Sequence, residues 1–474
     1  MRRTKIVATL GPGSSSYEVI LEMIRAGVDV FRLNFSHGTH EEQGARVKLI
    51  RECSETSGRI VGILADLQGP KIRTHKFKDG VVQLIKGETF ILDAALGKNE
   101  GTQERVGLAY KDLPKDVKPG DTLLLDDGRV ELEVSEVAGE EVRCIVIYTC
   151  ELSNNKGINL KGGGLSAPAL TDKDKEDLKA AVAMNVDYVA LSFARTAGDV
   201  KHCRELVRAE GSDAGIVTKV ERAEAIENID DIIKASDVIM VARGDLGVEM
   251  GDAELPALQK SLIKKARSYN KVIITATQMM ESMIDSPIPT RAEVFDVANS
   301  VLDGTDAVML SGETAVGKYP AKTVAAMGRI CEHAEKQHAA MISDHRVDLM
   351  FGRVDEAIAM ATMYTANHLE VKVIASLTES GATVLWMSRI SSGIPIYALT
   401  RSLATLSRVT LYRGVYPVRA EFDKMEQAKI SQGAVDLLKS KGIIEPGDRI
   451  IVTRGDMLGD QGGGSNIMKI VSVE

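Results

Sequence analysis

The chain has 474 residues, of which 44% are hydrophobic and 27% charged, with a formal net charge of -8; that length exceeds what one core supports and predicts two or three domains. The mild acidity excludes the basic excess of a nucleic-acid binder, so anionic ligands must be met by local cations, and no apolar run approaches the ~18 residues that span a bilayer. Five cysteines, Cys53, Cys144, Cys150, Cys203 and Cys331, are odd in number and lack C-x-x-C spacing, which argues against a disulfide or zinc scaffold; without a secretory apolar core after Met1, the expected compartment is the cytoplasm.

Eight short runs rich in apolar and β-branched residues predict strands at 5–10, 29–33, 60–64, 188–192, 215–220, 237–242, 271–275 and 307–310. Most are continuously apolar rather than alternating, the pattern of strands buried on both faces in a parallel sheet covered by helices. Helical periodicity follows at 15–26, 171–184, 255–269 and 321–335. Eight β-then-α units predict an α/β fold built on a closed (β/α)8 barrel of the TIM type; a doubly wound open sheet is the alternative, because period alone does not report closure.

Between the third and fourth strands the pattern turns to alternation, at 81–84, 123–125 and 130–134, with Asp127-Gly128 as a hairpin turn. This predicts a β-barrel-like lid domain inserted at 70–167, leaving at Pro70 and rejoining near Gly162-Gly163-Gly164, between barrel parts 1–69 and 168–342. From about Ser343 a third unit, 343–474, reads as α/β, with a helix at 355–367 and strands at 371–376, 394–398 and 449–452. Two of its strand ends open into loops suited to an anion: Thr378-Glu379-Ser380-Gly381-Ala382-Thr383, and Thr453-Arg454-Gly455-Asp456 ahead of Gly462-Gly463-Gly464-Ser465. Glu379 is a like charge in that setting.

Barrel enzymes carry their chemistry at the C-terminal strand ends. Here those ends present Arg32, Asn34, Ser36 and His37 after the second strand, Asp66, Leu67, Lys71 and Arg73 after the third, and Ser192-Phe193 after the fourth. The fifth and sixth supply Lys219, Glu221 and Arg243-Gly244-Asp245, the seventh Thr277, and the eighth Ser311-Gly312-Glu313-Thr314. Paired carboxylates suit magnesium, which fills its remaining positions with water and substrate oxygens. Taken alone, Glu221 suits a first-turn helix acid, Asp245 a turn residue and His37 a surface histidine. Lys219 and Arg32 resist such readings, because a charge closing an apolar strand must be paired or stay at the rim.

The runs Asn34-Phe35-Ser36-His37-Gly38, Lys219-Val220-Glu221, Val241-Ala242-Arg243-Gly244-Asp245-Leu246-Gly247, Ala276-Thr277-Gln278-Met279 and Leu310-Ser311-Gly312-Glu313-Thr314 resemble those of the pyruvate kinases. Their order, their spacing and the inserted segment agree with that family along essentially the whole chain. The resemblance implies transfer of the phosphoryl group of phosphoenolpyruvate to ADP, giving ATP and an enolate that is protonated to pyruvate. It implies Lys219, Thr277, Arg32 and Arg73 as catalytic residues and Glu221 and Asp245 as ligands of magnesium, with manganese as a substitute. The substrate carboxylate would meet the amides of Ala242, Arg243, Gly244 and Asp245 together with Thr277, with Arg32 on phosphate. Asn34, His37, Arg73 and Lys156 would serve the nucleotide, and a homotetramer is implied as well.

Many members require potassium, held by residues matching Asn34, Ser36, Asp66 and the backbone of a threonine where this chain has Leu67, near an acid where this chain has Lys71. The ammonium of Lys71 supplies that charge internally, so potassium-independent catalysis is expected. The loop carrying Thr378, Ser380, Gly381, Ala382 and Thr383 resembles the family's effector pocket, but the loop expected around 415–421 lacks bisphosphate-gripping residues. AMP or a sugar monophosphate is therefore the expected activator. Two other classes share the enolate-binding parts: a magnesium-dependent lyase acting through pyruvate enolate, and a non-catalytic metabolite sensor. The first leaves Arg73 and Lys156 idle, and the second leaves a full catalytic set unexplained.

Overall fold

The computed structural model describes residues 1–70, 72–341, 350–422, 425–455 and 464–474; Lys71, the expected boundary near Ser343, Asp456 and Gly462-Gly463 lie outside the described residues. Eight parallel strands close into a barrel: Lys5–Leu10, Val30–Asn34, Gly62–Asp66, Tyr188–Leu191, Gly215–Val220, Val238–Ala242, Val272–Ala276 and Ala307–Leu310. Closure settles the choice between barrel and open sheet. Both faces of each strand are buried, which is why the runs read as continuous. Val7, Val30, Leu64, Tyr188 and Met240 fill the lumen, while Ile6, Phe31, Ile63, Ile216 and Ile273 pack on the helices. Among the described residues no helix is long and apolar enough to cross a membrane.

The floor of the barrel follows a fourfold rule. Asp29, Asp187, Asp237 and Asp306 each precede an even-numbered strand, and each accepts a hydrogen bond from an amide at the start of the odd-numbered strand before it: Ile6 (2.8 Å), Ile63 (2.7 Å), Ile216 (2.7 Å) and Ile273 (2.9 Å). Each also meets an arginine, namely Arg2, Arg51, Arg204 and Arg389. Strand-opening N–H groups that would face an apolar floor are thus satisfied. This is why the strands expected from Asp29 and Asp237 begin one residue later: those aspartates are caps.

The first three pairs belong to the barrel alone. In the fourth, Arg389 comes from the C-terminal domain, and both side chains are fully buried. The apolar lumen continues into that domain through Met363, Ile374 and Val384, and the Tyr188 hydroxyl donates to the Arg408 carbonyl (2.7 Å). The floor is plugged, so chemistry is confined to the opposite rim. The C-terminal sheet runs in the order Val415–Arg419, Ile396–Thr400, Val373–Leu377, Arg449–Arg454, Ile467–Ser472; the first four are parallel and the last is antiparallel. Val415–Arg419, expected as part of a loop, is therefore a strand at the sheet edge.

Between the third and fourth barrel strands lies a β domain with a six-stranded sheet, a two-stranded sheet and its own core around Phe90, Leu92, Leu123 and Val142. The hairpin expected at Asp127-Gly128 joins Thr122–Leu125 to Val130–Ala138. Asp126 and Asp127 both adopt positive φ, at 51° and 56°, so the turn spans four residues rather than two. The return connection bends through Gly162, Gly163 and Gly164 at φ of 83°, 83° and 115°. The positive φ at Gly163 calls for glycine, and a side chain there would also push Glu224 Oε2, 2.8 Å away, aside.

Candidate active site

Four charged side chains form one network at the C-terminal rim. Arg32 Nε donates to Asp66 Oδ2 (2.6 Å), and Lys219 Nζ lies 2.7 Å from Glu221 Oε1 and 3.6 Å from Asp66 Oδ1. Lys219 also donates to Ser192 Oγ (2.8 Å), which in turn donates to the Leu67 carbonyl (2.8 Å). Strand register builds this arrangement: Asn34 and Ala190 flank Asp66, and Lys219 lies beside Met240 on the next strand. Polar ends of apolar strands are thereby gathered at one height.

The electrostatics follow from burial. Burial pushes the Asp66 carboxyl up, but Lys219 and Arg32 outweigh it and hold its pKa below the ordinary value. Burial would lower the Lys219 ammonium, yet Asp66 and then Glu221 raise it, so it stays protonated. Glu221 moves the other way: burial dominates, the charge of Asp245 adds to it, and its pKa rises despite Lys219. A buried carboxylate beside a second acid is short of positive charge, and that is the donor chemistry a divalent cation satisfies. Glu221 and Asp245 make an open pair rather than a closed cage, since among the described residues no group of three or more metal-type side chains is assembled.

Backbone strain shapes the same rim. Phe193 sits at φ 55° and turns its amide onto Glu221 Oε2 (2.8 Å). Thr277 and Gln278 follow one another at 67° and 53°, each costing on the order of 1 kcal/mol or more in a non-glycine residue. Thr277 Oγ1 thereby accepts from the Gly244 amide (2.9 Å) and donates to the Ala276 carbonyl (2.7 Å). Asp245 lies in the first turn of the short helix Arg243–Met250.

Two clefts meet here and share Phe193 and Asp245. One is lined by Arg32, Asn34, Asp66, Lys219, Glu221 and Thr277. The other opens beneath the β domain and is lined by Arg73, Asp126, Asn155, Lys156 and Arg222. Lys156 Nζ pairs with Asp126 Oδ1 (2.6 Å), and Arg73 donates to the Asn155 carbonyl (3.2 Å).

Not every expected residue faces these clefts. The Arg243 guanidinium pairs with Asp296 (2.7 Å) and donates to the Ala276 (3.0 Å) and Thr277 (2.6 Å) carbonyls. It braces the loop, and only its main chain is left for the cradle. His37 is exposed and lines neither cleft. Asn34 Oδ1 accepts from the Ser36 amide (3.1 Å). Glu313 clamps the last two strand ends by accepting from the Met280 (3.0 Å) and Ser311 (2.7 Å) amides. Ser192 was named as a strand end but given no role, and Asp126 was missed: a serine ending a strand and an aspartate opening a turn carry no distinctive pattern.

In the C-terminal domain Thr378 Oγ1 accepts from the Gly381 amide (2.9 Å), and Ser380 Oγ from that of Ala382 (3.4 Å). Thr383 Oγ1 lies 3.0 Å from Ser465 Oγ, so the two loops named from the sequence meet. Glu379 is matched by Arg401 at 3.4 Å. Gly381 is at φ 84°, where a side chain would press on Val409 at 3.0 Å. The only tryptophan of the chain, Trp386, lies on the helix Ala382–Ser388 that follows, with the Arg353 guanidinium 5.3 Å above its ring.

Residues 1–324 match the model of the pyruvate kinase barrel domain, and residues 356–471 that of the pyruvate kinase alpha/beta domain. The chain is 56% identical to pyruvate kinase II of Salmonella typhimurium, covering 100% of this chain and 99% of that one. It is 52% identical to a pyruvate kinase of Haemophilus influenzae, with 100% and 99% covered. Among solved structures, a pyruvate kinase from Cryptosporidium parvum superposes with a TM-score of 0.92 at 35% identity, covering 100% of this chain and 96% of that one.

Proposed function

The chain belongs to the pyruvate kinase family and transfers the phosphoryl group of phosphoenolpyruvate to ADP, giving pyruvate and ATP; from that premise we propose how its residues divide the work. The observation that carries the assignment is the placement of Lys219 within 2.7 Å of Glu221 in a cleft that also holds Asp245, Arg32 and Thr277. The family generally uses magnesium, and Glu221 and Asp245 would hold it; when bound it neutralises charge on the transferring phosphoryl group and the enolate oxygen. Lys219, kept protonated, stabilises the same charge from the protein side, and Arg32 orients the phosphate. The amides at the start of the helix Arg243–Met250, with the Thr277 hydroxyl, receive the substrate carboxylate. Thr277 also relays the proton to the enolate, a role supported by its hydroxyl lining the same cleft as Lys219. Arg73 and Lys156, under the β domain, serve the nucleotide, with Asn34 in the adjoining cleft; His37, outside both clefts, is given no part. The β domain at 70–167 acts as the lid that excludes water. Neither a lyase nor a sensor explains why the lid presents these two cations to the shared cleft.

Catalysis without potassium is part of this reading. At three of the four residues of the monovalent site the oxygens already have partners within the protein: Asn34 Oδ1 has the Ser36 amide, Asp66 has Arg32 and Lys219, and the Leu67 carbonyl has Ser192. Lys71 contributes the missing charge. Pyruvate formation from phosphoenolpyruvate, ADP and magnesium in potassium-free buffer is expected to proceed within about twofold of the rate with potassium added. Turnover that depends wholly on potassium would refute this part while leaving the kinase intact.

The effector is a monophosphate, either AMP or a sugar monophosphate, bound at Thr378, Ser380, Gly381, Ala382 and Thr383. Supporting this choice, Val415–Arg419 is a strand and its Arg419 is paired with Glu421 (3.1 Å), which leaves little there to grip a second phosphate. Titration with each compound should lower the half-saturating phosphoenolpyruvate concentration and change Trp386 fluorescence. Activation by fructose 1,6-bisphosphate alone would overturn the choice.

The assembly is a homotetramer. Ile288 and Phe295, 70% and 69% exposed, and the edge strand Ile467–Ser472, with Ile470 outward, provide two separate surfaces, as two kinds of twofold contact require. A cytoplasmic location fits the five free cysteines, four of them buried.

A further inference from the structure

We propose that Glu249 is a positioning residue that ties the lid to the helix carrying Asp245, so that nucleotide binding depends on a group that sets where the lid stands. Glu249 lies near the end of the helix Arg243–Met250, whose first turn holds Asp245, and it is 5% exposed. Two segments, the return strand of the β domain with its glycine hinge and the turn after the fifth strand, hold it at three points. Its Oε1 accepts from Asn159 Nδ2 (3.3 Å), on the lid strand Ile158–Leu160. Its Oε2 accepts from the Ala223 amide (2.9 Å), two residues beyond Glu221. Its main-chain carbonyl accepts from the amide of Gly162 (3.2 Å), the first of the three hinge glycines.

One residue therefore joins the lid, the hinge, the segment after Glu221 and the helix of Asp245. The side-chain partners are both N–H donors, so the site calls for a group that accepts at both ends. A carboxylate does this with its full charge; a glutamine keeps both contacts only where Asn159 turns its amide to accept, and then as neutral hydrogen bonds, so the charge-assisted contact is lost either way. The surrounding charges are Arg222 and Glu224 from the segment after the fifth strand, with Arg73, Lys156, Asp126 and Asp127 of the lid and Asp245 of the same helix bordering the cleft that Glu249 lines. Glu224 and Arg222 hold the same return segment by other contacts: Glu224 Oε1 accepts from the Gly164 amide (2.6 Å), and Arg222 donates to the Leu165 carbonyl (2.8 Å). These two bind main chain alone. Glu249 reads a lid side chain, and it alone of the three stands on the helix of Asp245.

The inference rests on the nucleotide side of the cleft being the one under the lid, and Lys156→Ala tests that premise separately, through its own KM for ADP. Glu249→Gln and Asn159→Ala are compared with wild type at about pH 8.5, above the value of about 7 to which burial pushes Glu249, so that the carboxylate is charged. Each is expected to raise KM for ADP about tenfold, the loss of one hydrogen bond to a charged group, while KM for phosphoenolpyruvate stays within about twofold. Combining the two substitutions should add little to either, because they remove the same contact. Hydrogen exchange of residues 158–165 in the ligand-free protein should accelerate in both variants by a similar factor. A KM for ADP that does not change, or two Michaelis constants that rise together, would overturn the proposal. Should Glu249→Gln fail to fold, Asn159→Ala, which alters only a half-buried lid side chain, decides it by the same measurements.

Discussion

Lys219→Met is expected to lower kcat by about three orders of magnitude, the scale seen when a preorganised cation is taken from a developing phosphoryl or enolate charge. The geometry explains why no neighbour substitutes. Arg32 is held by Asp66 at 2.6 Å and by the Thr9 hydroxyl (3.1 Å), so it cannot move to the vacated place without breaking both. Methionine keeps the length of the side chain and removes the charge together with the hydrogen bond donated to Ser192. The KM for phosphoenolpyruvate should change much less than kcat, because the Arg32 and main-chain contacts to the ground state remain. Lys219→Arg should rescue poorly: a planar fork does not reproduce a point charge set 2.7 Å from Glu221 and 2.8 Å from Ser192. Pyruvate release in a coupled assay measures all three. A loss of less than about tenfold would remove Lys219 from the chemistry.

Arg389→Met carries the largest expected effect on stability, about 3–5 kcal/mol. Arg389 and Asp306 are both fully buried. Asp306 Oδ2 receives Arg389 Nη1 (2.8 Å) as well as the Ile273 amide (2.9 Å), while the Arg413 amide approaches Oδ1 at 3.3 Å. Removing the guanidinium leaves a carboxylate under the barrel floor with only main-chain donors. Arg389→Met combined with Asp306→Leu should recover much of the loss, since it is the unpaired charge rather than the missing pair that is costly. The same floor contains its own control: Arg51→Met breaks the equivalent contact to Asp187, but Arg51 is 35% and Asp187 10% exposed, so the freed carboxylate is nearer water and a smaller loss, about 1–2 kcal/mol, is expected. Chemical unfolding followed by circular dichroism compares the three. Equal losses at Arg51 and Arg389 would show that burial does not distinguish these pairs.

How much of this was legible depended on the kind of signal. The strands at Lys5–Leu10, Gly215–Val220 and Ala307–Leu310 have the bounds expected from hydrophobic pattern, because burial on both faces writes itself into consecutive residues. The charged strand ends were legible for the same reason, as breaks in that pattern. Of the four aspartate caps, Asp29 and Asp237 were read as first strand residues, while Asp187 and Asp306 were left just outside their strands. A cap and a first strand residue occupy the same place in the chain and differ only in whether the side chain folds back onto a neighbour.

Other features had no local signal. Nothing about Thr277 and Gln278 in a line of text announces consecutive left-handed residues; the surrounding rim imposes them. Arg243 was expected to offer its amide, and nothing local announced that Asp296, 53 residues away, would hold its guanidinium. Glu249 looked like any helix acid, and its meaning comes from Asn159, 90 residues earlier.

By itself, then, the sequence determined the barrel, the inserted β domain, the C-terminal α/β domain and the set of charged residues available at the rim, because periodicity and strand-end chemistry are local properties that each segment carries independently. Only the tertiary structure decided which of those charges pair, which turn away, and which lid residue meets which barrel helix. Those outcomes depend on the closure of eight strands in one register and on the return path of the lid, and no segment of the chain encodes its partner's position.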